Sequence, residues 1–77
     1  MEIQPLCIVT PTQECPVLAT IGNMQIMAVV KHGQQMTVTA VGPYLVECKF
    51  LVGDPILWYA VALFPRDKIS WHAPPPS

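Results

Sequence analysis

The side chains in this 77-residue chain with chemistry to offer are three cysteines, two histidines, two serines and a few scattered carboxylates. Cys7, Cys15 and Cys48 are an odd number and none falls in a C-x-x-C pair, so neither a disulfide framework nor a zinc knuckle is indicated. Free thiols in a reducing, cytoplasmic setting are expected. A Cys7–Cys15 bridge stays open as the alternative for an exported chain, although Met1-Glu2 opens no basic, apolar signal segment. Cys48 is a poor nucleophile candidate, because it occupies an inward position of an alternating strand with no base beside it. His32 lies in a turn and His72 near the tail, without a cysteine or carboxylate at metal-ligand spacing, so no metal and no cofactor is expected. Ser70 and Ser77 are close to His72, yet a triad needs a third group and an oxyanion hole on a rigid scaffold. Glu47, Asp54 and Asp67 read as strand-face or turn residues. Gly22, Gly33, Gly42 and Gly53 stand singly at turns, which leaves no phosphate loop or dinucleotide fingerprint. The expectation is a chain that is not an enzyme and has no catalytic residues.

Aromatic residues are the stronger signal. Trp58, Tyr59, Tyr44 and Trp71 are candidate interface residues, since Trp and Tyr combine a large apolar area with a polar tip. Trp58 and Tyr59 are neighbours on one strand, point to opposite faces, and only one of them can enter the core. Composition points the same way: 52% of residues are hydrophobic and 12% charged, more apolar side chain than a small monomer readily hides. Net charge is −1, and Lys31, Lys49, Arg66 and Lys68 are dispersed, which argues against nucleic acid as a partner. The longest apolar run, Ile56 to Phe64, is far short of the roughly 20 residues of a membrane helix.

These residues must be held by β-structure. Pro5, Pro11 and Pro16 interrupt residues 1–23, which read as an irregular, extended N-terminal segment packing on the rest, with Ile3–Thr10 and Val17–Ile21 as short edge strands within it. Five strands follow: Gln25–Lys31, Met36–Val41, Leu45–Val52, Ile56–Leu63 and Lys68–Trp71, with turns at His32-Gly33, Gly42-Pro43, Gly53-Asp54-Pro55 and Phe64-Pro65. Alternation places Met36, Val38 and Ala40 on one face opposite Thr37 and Thr39, and Val46, Cys48, Phe50 and Val52 inward opposite Glu47 and Lys49. Ile56–Leu63 is apolar on both faces, so one face must be covered from outside the barrel, by the N-terminal segment, a second copy or a foreign partner. The fold expected is all-β: a small five-stranded antiparallel SH3-like barrel over residues 24–72, followed by a proline-rich disordered tail, 73–77.

The stretch from Met36-Thr37-Val38 through Val46-Glu47-Cys48-Lys49-Phe50 to Phe64-Pro65 and Ile69 resembles the YodC-like small bacterial proteins, over roughly residues 24–71. That resemblance implies an SH3-like barrel and supplies no catalytic residue. The family's Gly-Asp-x-Val opening is here Gly22-Asn23-Met24-Gln25, and the first 20 residues have no counterpart. The functional expectation is a small non-catalytic protein-binding module, of the kind a phage or other mobile element carries as an adaptor or inhibitor of a host protein. It would act on a protein partner or by self-association. The competing classes are a subunit of a homo-oligomeric enzyme with a shared ligand pore, and a single-stranded nucleic-acid binder.

Overall fold

The computed structural model describes residues 2–76. Its strands are β1 (Ile8–Pro11), β2 (Cys15–Ile21), β3 (Met24–Val30), β4 (Met36–Val41), β5 (Leu45–Val52), β6 (Trp58–Pro65) and β7 (Ile69–Ala73), with one 3₁₀ turn, Arg66–Lys68, before β7. They form a single antiparallel sheet in the order β3-β2-β6-β5-β4-β1-β7, whose two edges are β3 and β7.

The sheet curls. β1 and β2 lie four places apart in the strand order, which in a flat sheet is about 19 Å. Only Thr12, Gln13 and Glu14 join them, a stretch that reaches about 14 Å when fully extended. Curling brings the end of β3 back toward β1, where the Gly33 N–H donates to the Pro11 carbonyl at 3.2 Å, and Thr12 N–H ties β1 to Lys68 O at 2.9 Å.

Inside the curl sits one core. Val46, Cys48 and Phe50 of β5 are buried with Met36 and Val38 of β4, as their alternation predicts, and Ala60, Ala62 and Phe64 of β6 face the same interior. Phe50 and Phe64 meet edge to face, centroids 5.9 Å apart at 73°. Val9, Pro11, Val30 and Ile69 close the remaining sides.

Several expectations are corrected. The sheet has seven strands rather than five, and it is not closed. Within the segment expected to be irregular, residues 8–11 and 15–21 form full strands of the sheet: β1 lies between β4 and β7, and β2 pairs with β3 along its whole length. The prolines fit because of where they fall. Pro11 ends β1, and Pro16 sits in β2 at a position whose missing N–H would point away from β3. That direction follows from the β2–β3 turn: Ile21 pairs with Met24 across two residues, with Gly22 first at φ +59° and no positive φ at Asn23, as in a type II′ hairpin. In such a hairpin Ile21, Ala19, Val17 and Cys15 bond to β3, while Thr20, Leu18 and Pro16 turn their backbone toward β6.

Ala40 is exposed rather than inward, because a bulge between Val38 and Ala40 shifts the β4–β5 register. The displaced Thr39 hydroxyl bonds to Glu47 O at 3.1 Å and Glu47 Oε1 at 2.8 Å. β6 begins at Trp58 rather than Ile56 and continues through Phe64 to Pro65. β7 includes Ala73; Pro74–Pro76 have no regular structure, and Ser77 lies outside the described residues.

Candidate functional site

Each strand of the β3-β2-β6-β5 half of the sheet puts one alternating set into the core and the other outward. In an ordinary one-sided sheet the outward set is polar. Here it is mostly apolar: Met27 and Val29 on β3, Leu18 on β2, Tyr59 and Leu63 on β6, and Leu51 on β5 are all exposed, Met27 at 71% and Tyr59 at 62%. Registers join them into one surface, since Leu18 lies opposite Met27, Thr20 opposite Val61, and Leu51 opposite Tyr59. The polar members are few. Glu47 and Lys49 extend the face on β5, and the Lys49 ammonium lies 4.8 Å from the centroid of the Tyr59 ring, a cation–π contact that orients the ring.

The face is not flat. The β2–β6 ladder is formed at Thr20↔Val61, and toward Cys15 on one strand and Pro65 on the other a cleft of about 670 Å³ opens. Pro16, Leu18 and Leu63 line it, and Glu14, Glu47 and Lys68 stand at its rim. Two prolines on opposite strands, Pro16 and Pro65, fall where the ladder would continue, and neither can donate.

The four aromatic candidates do not converge. Tyr59 stands on the outer face. Trp58 shares the inward parity of Ala60 and Ala62 but pairs with Val52, the last residue of β5, so it lies past the end of the core and is 56% exposed. The expectation that one of Trp58 and Tyr59 enters the core is therefore overturned: both are exposed. Tyr44 is 82% exposed at the opposite end, in the turn where Arg66 N–H donates to Tyr44 O at 3.1 Å and Arg66 Nη1 to Gly42 O at 3.1 Å. Trp71, beside Val9 on β7, is half-buried against the core. Nor does the N-terminal segment cover the outward row of β6. β2 lies beside β6 in the sheet, leaving Tyr59 and Leu63 open.

The aliphatic residues Leu18, Met27, Val29 and Leu63 were not singled out by sequence reasoning. Leu18 lay in a segment read as irregular, and strict alternation in Val17–Ile21 and Met24–Val30 is blurred by apolar residues on both parities.

The chemical groups are placed apart from one another. Cys7 and Cys48 are buried, Cys15 is half-buried with its thiol donating to Gln13 O at 3.3 Å, and all three are free. Cys7 and Cys48 flank Val38 from opposite sides, since Val38 pairs with Cys48 while its N–H donates to Cys7 O. Two strand spacings, about 10 Å, exceed disulfide reach. Burial, then neighbouring Cys7 and Glu47, push the Cys48 thiol from 9.0 up to about 12, which keeps it protonated and unreactive. His72 accepts from Gln35 Nε2 at 3.1 Å on β7. Among the described residues no three His, Cys, Asp or Glu side chains gather as a metal site would require, and no helix is long and apolar enough to cross a membrane.

No family model, curated protein or solved structure matches this chain.

Proposed function

We propose that this chain is a small non-catalytic protein-binding module whose contact surface is the outer face of β3, β2, β6 and β5. The observation that carries the reading is the row of exposed aliphatic and aromatic side chains on that face, built around Leu18, Met27, Tyr59 and Leu63. Four strands of about seven residues span roughly 19 by 24 Å, about 450 Å² in projection, and a largely apolar patch in this size range is often a functional one. A rim with both charges, Glu14, Glu47, Lys49 and Lys68, suits a protein surface better than a phosphate backbone.

The reading keeps the SH3-like architecture as its scaffold. Within the sheet, β7-β1-β4-β5-β6 is a run in which the first strand lies between the last and the second, with a 3₁₀ turn before the last. That order supports an SH3-like barrel, with the β2–β3 hairpin inserted between its first two strands and extending the sheet beside β6. The YodC-like resemblance and a role as an adaptor or inhibitor of a host protein in the cytoplasm belong to the same proposal.

Tyr59→Ser and Leu63→Lys test it. Both positions face outward, so each should leave the thermal midpoint nearly unchanged, a surface substitution being within about 0.5 kcal/mol. Association should weaken in both, read as self-association by sedimentation and as retention of a host protein on the immobilised chain. Wild-type and variants that sediment as the same monomer and retain the same proteins would refute the proposal.

A further inference from the structure

The curled sheet leaves a seam between its β3 edge and the end of β5. On the β3 side, the type II′ hairpin assigns Ile26, Ala28 and Val30 to β2, so the backbone N–H and C=O of Gln25, Met27 and Val29 face the seam. On the other side, β5 runs past the start of β4: Thr37 pairs with Lys49, and Leu51 and Val52 have no β4 residue in register. Between the two sides lies a groove of about 520 Å³ whose floor is apolar, made by Ile21, Ile26 and Val52, with Trp58 at its mouth.

One side chain shows what the groove accepts. The carboxamide of Gln34 spans it: Oε1 accepts from the Lys31 N–H at 3.2 Å, and Nε2 donates to the Leu51 carbonyl at 3.3 Å. A peptide unit in the middle strand of a sheet does the same, with its C=O aimed at one neighbour and its N–H at the other. The amide therefore stands where one peptide unit of an intervening strand would stand. The two donor–acceptor distances plus the width of an amide separate Lys31 N from Leu51 O by at most about 9 Å, close to the two inter-strand spacings that one inserted strand occupies. A slot this narrow does not admit a hairpin, so β3 of a second copy, which brings its own β2, fits it poorly.

We propose that the seam is a β-augmentation site that takes a single extended peptide segment of another protein. The incoming strand continues from the Gln34 rung along β3 and pairs with the backbone of Val29 and Met27. Every second side chain points inward onto Ile21, Ile26 and Val52, so those positions should be aliphatic, and the others face solvent. Backbone pairing supplies affinity, and the inward positions supply preference. This site shares β3 with the outer apolar face but uses the backbone of Met27 and Val29 rather than their side chains, and does not depend on that reading.

The test uses the full chain and a displayed library of random decapeptides. Selected peptides should carry aliphatic residues at alternate positions, and on binding should perturb the amide resonances of Met27, Val29, Lys31 and Leu51. N-methylation of the selected peptide at residues that pair with β3 should weaken binding at least tenfold, while methylation at the intervening residues should weaken it less. Met27→Pro removes a donor that the monomer does not use internally, and should abolish binding with the fold intact by circular dichroism; Leu63→Lys should leave binding unchanged. Three results would overturn the proposal: no peptide enriched, binding that maps to Leu18 and Leu63 and is lost in Leu63→Lys, or the same resonance changes produced by the chain alone as its concentration rises. The second would leave the outer-face reading standing, and the third would assign the seam to a second copy.

Discussion

Replacing Phe50 by alanine probes the aromatic centre of the core. Its ring is 2% exposed, and it packs edge to face on Phe64 with both residues held on the central strand pair β5 and β6. Removing a buried phenylalanine costs about 3–5 kcal/mol from lost burial and the cavity left behind. The aromatic pair contributes a further 0.5–1.5 kcal/mol or so of specific geometry. A domain of this length is stabilised by roughly 4–12 kcal/mol, so Phe50→Ala should sit close to the unfolding threshold. The gentler variants make the quantity measurable. Phe50→Leu and Phe64→Leu should each leave a cooperative urea transition, followed by fluorescence of half-buried Trp71, and their double-mutant cycle should give a coupling of about 0.5–1.5 kcal/mol. A loss below about 1 kcal/mol in Phe50→Ala would put the ring on the surface. Zero coupling between the two leucine variants would mean that the rings do not meet.

Two further predictions rest on single residues. The Cys48 thiol is raised from 9.0 to about 12 in the folded chain, so its contribution is fully present below pH 9 and is lost as pH rises from there toward 12, where the unfolded thiol ionises and the folded one resists. Stability of the wild type should therefore fall over that window by up to about 4 kcal/mol more than that of Cys48→Ala, and equal slopes in urea titrations at pH 8 and 10.5 would contradict the burial argument. Gly53 and Gly22 both have positive φ, +114° and +59°, but an added Cβ meets open space at Gly22 and the Ile56 carbonyl oxygen at Gly53. Gly22→Ala should cost about 1 kcal/mol and Gly53→Ala clearly more, about 3 kcal/mol, by thermal denaturation; a reversed order would place the strain elsewhere.

The sheet was legible in the sequence where one face is polar and illegible where neither is. Thr37 and Thr39 against Met36 and Val38, and Glu47 and Lys49 against Val46, Cys48 and Phe50, fix β4, β5 and their pairing. β1 and β2 were obscured by Pro11 and Pro16, which read as breakers until the partners of each strand are known: β1 pairs with β4 and β7, far away in sequence, while the direction of the missing N–H of Pro16 follows from the Gly22-Asn23 turn. The bulge at Thr39 carries no local mark, so Ala40 was placed on the wrong face. Trp58 has the parity of a core residue, but parity says nothing of where the core ends along a strand. The candidate surface was half visible. An apolar excess and a two-sided strand pointed to it, while the contribution of Leu18 and Met27 needed the β2–β3 hairpin to be laid beside β6.

Methyl resonances offer the most direct test of whether the outer face is a working contact surface. Leu18 stands 56% exposed on that face, away from the seam, and Val46 is buried in the core, so a chain labelled at leucine and valine methyls carries a probe and an internal reference. Moved from buffer into an unlabelled host cell extract, the Leu18 signal should shift or broaden while the Val46 signal keeps its position, and in the Leu63→Lys chain the Leu18 signal should be the same in extract as in buffer. A wild-type Leu18 signal identical in extract and buffer, or one that extract alters equally in the Leu63→Lys chain, would contradict the account.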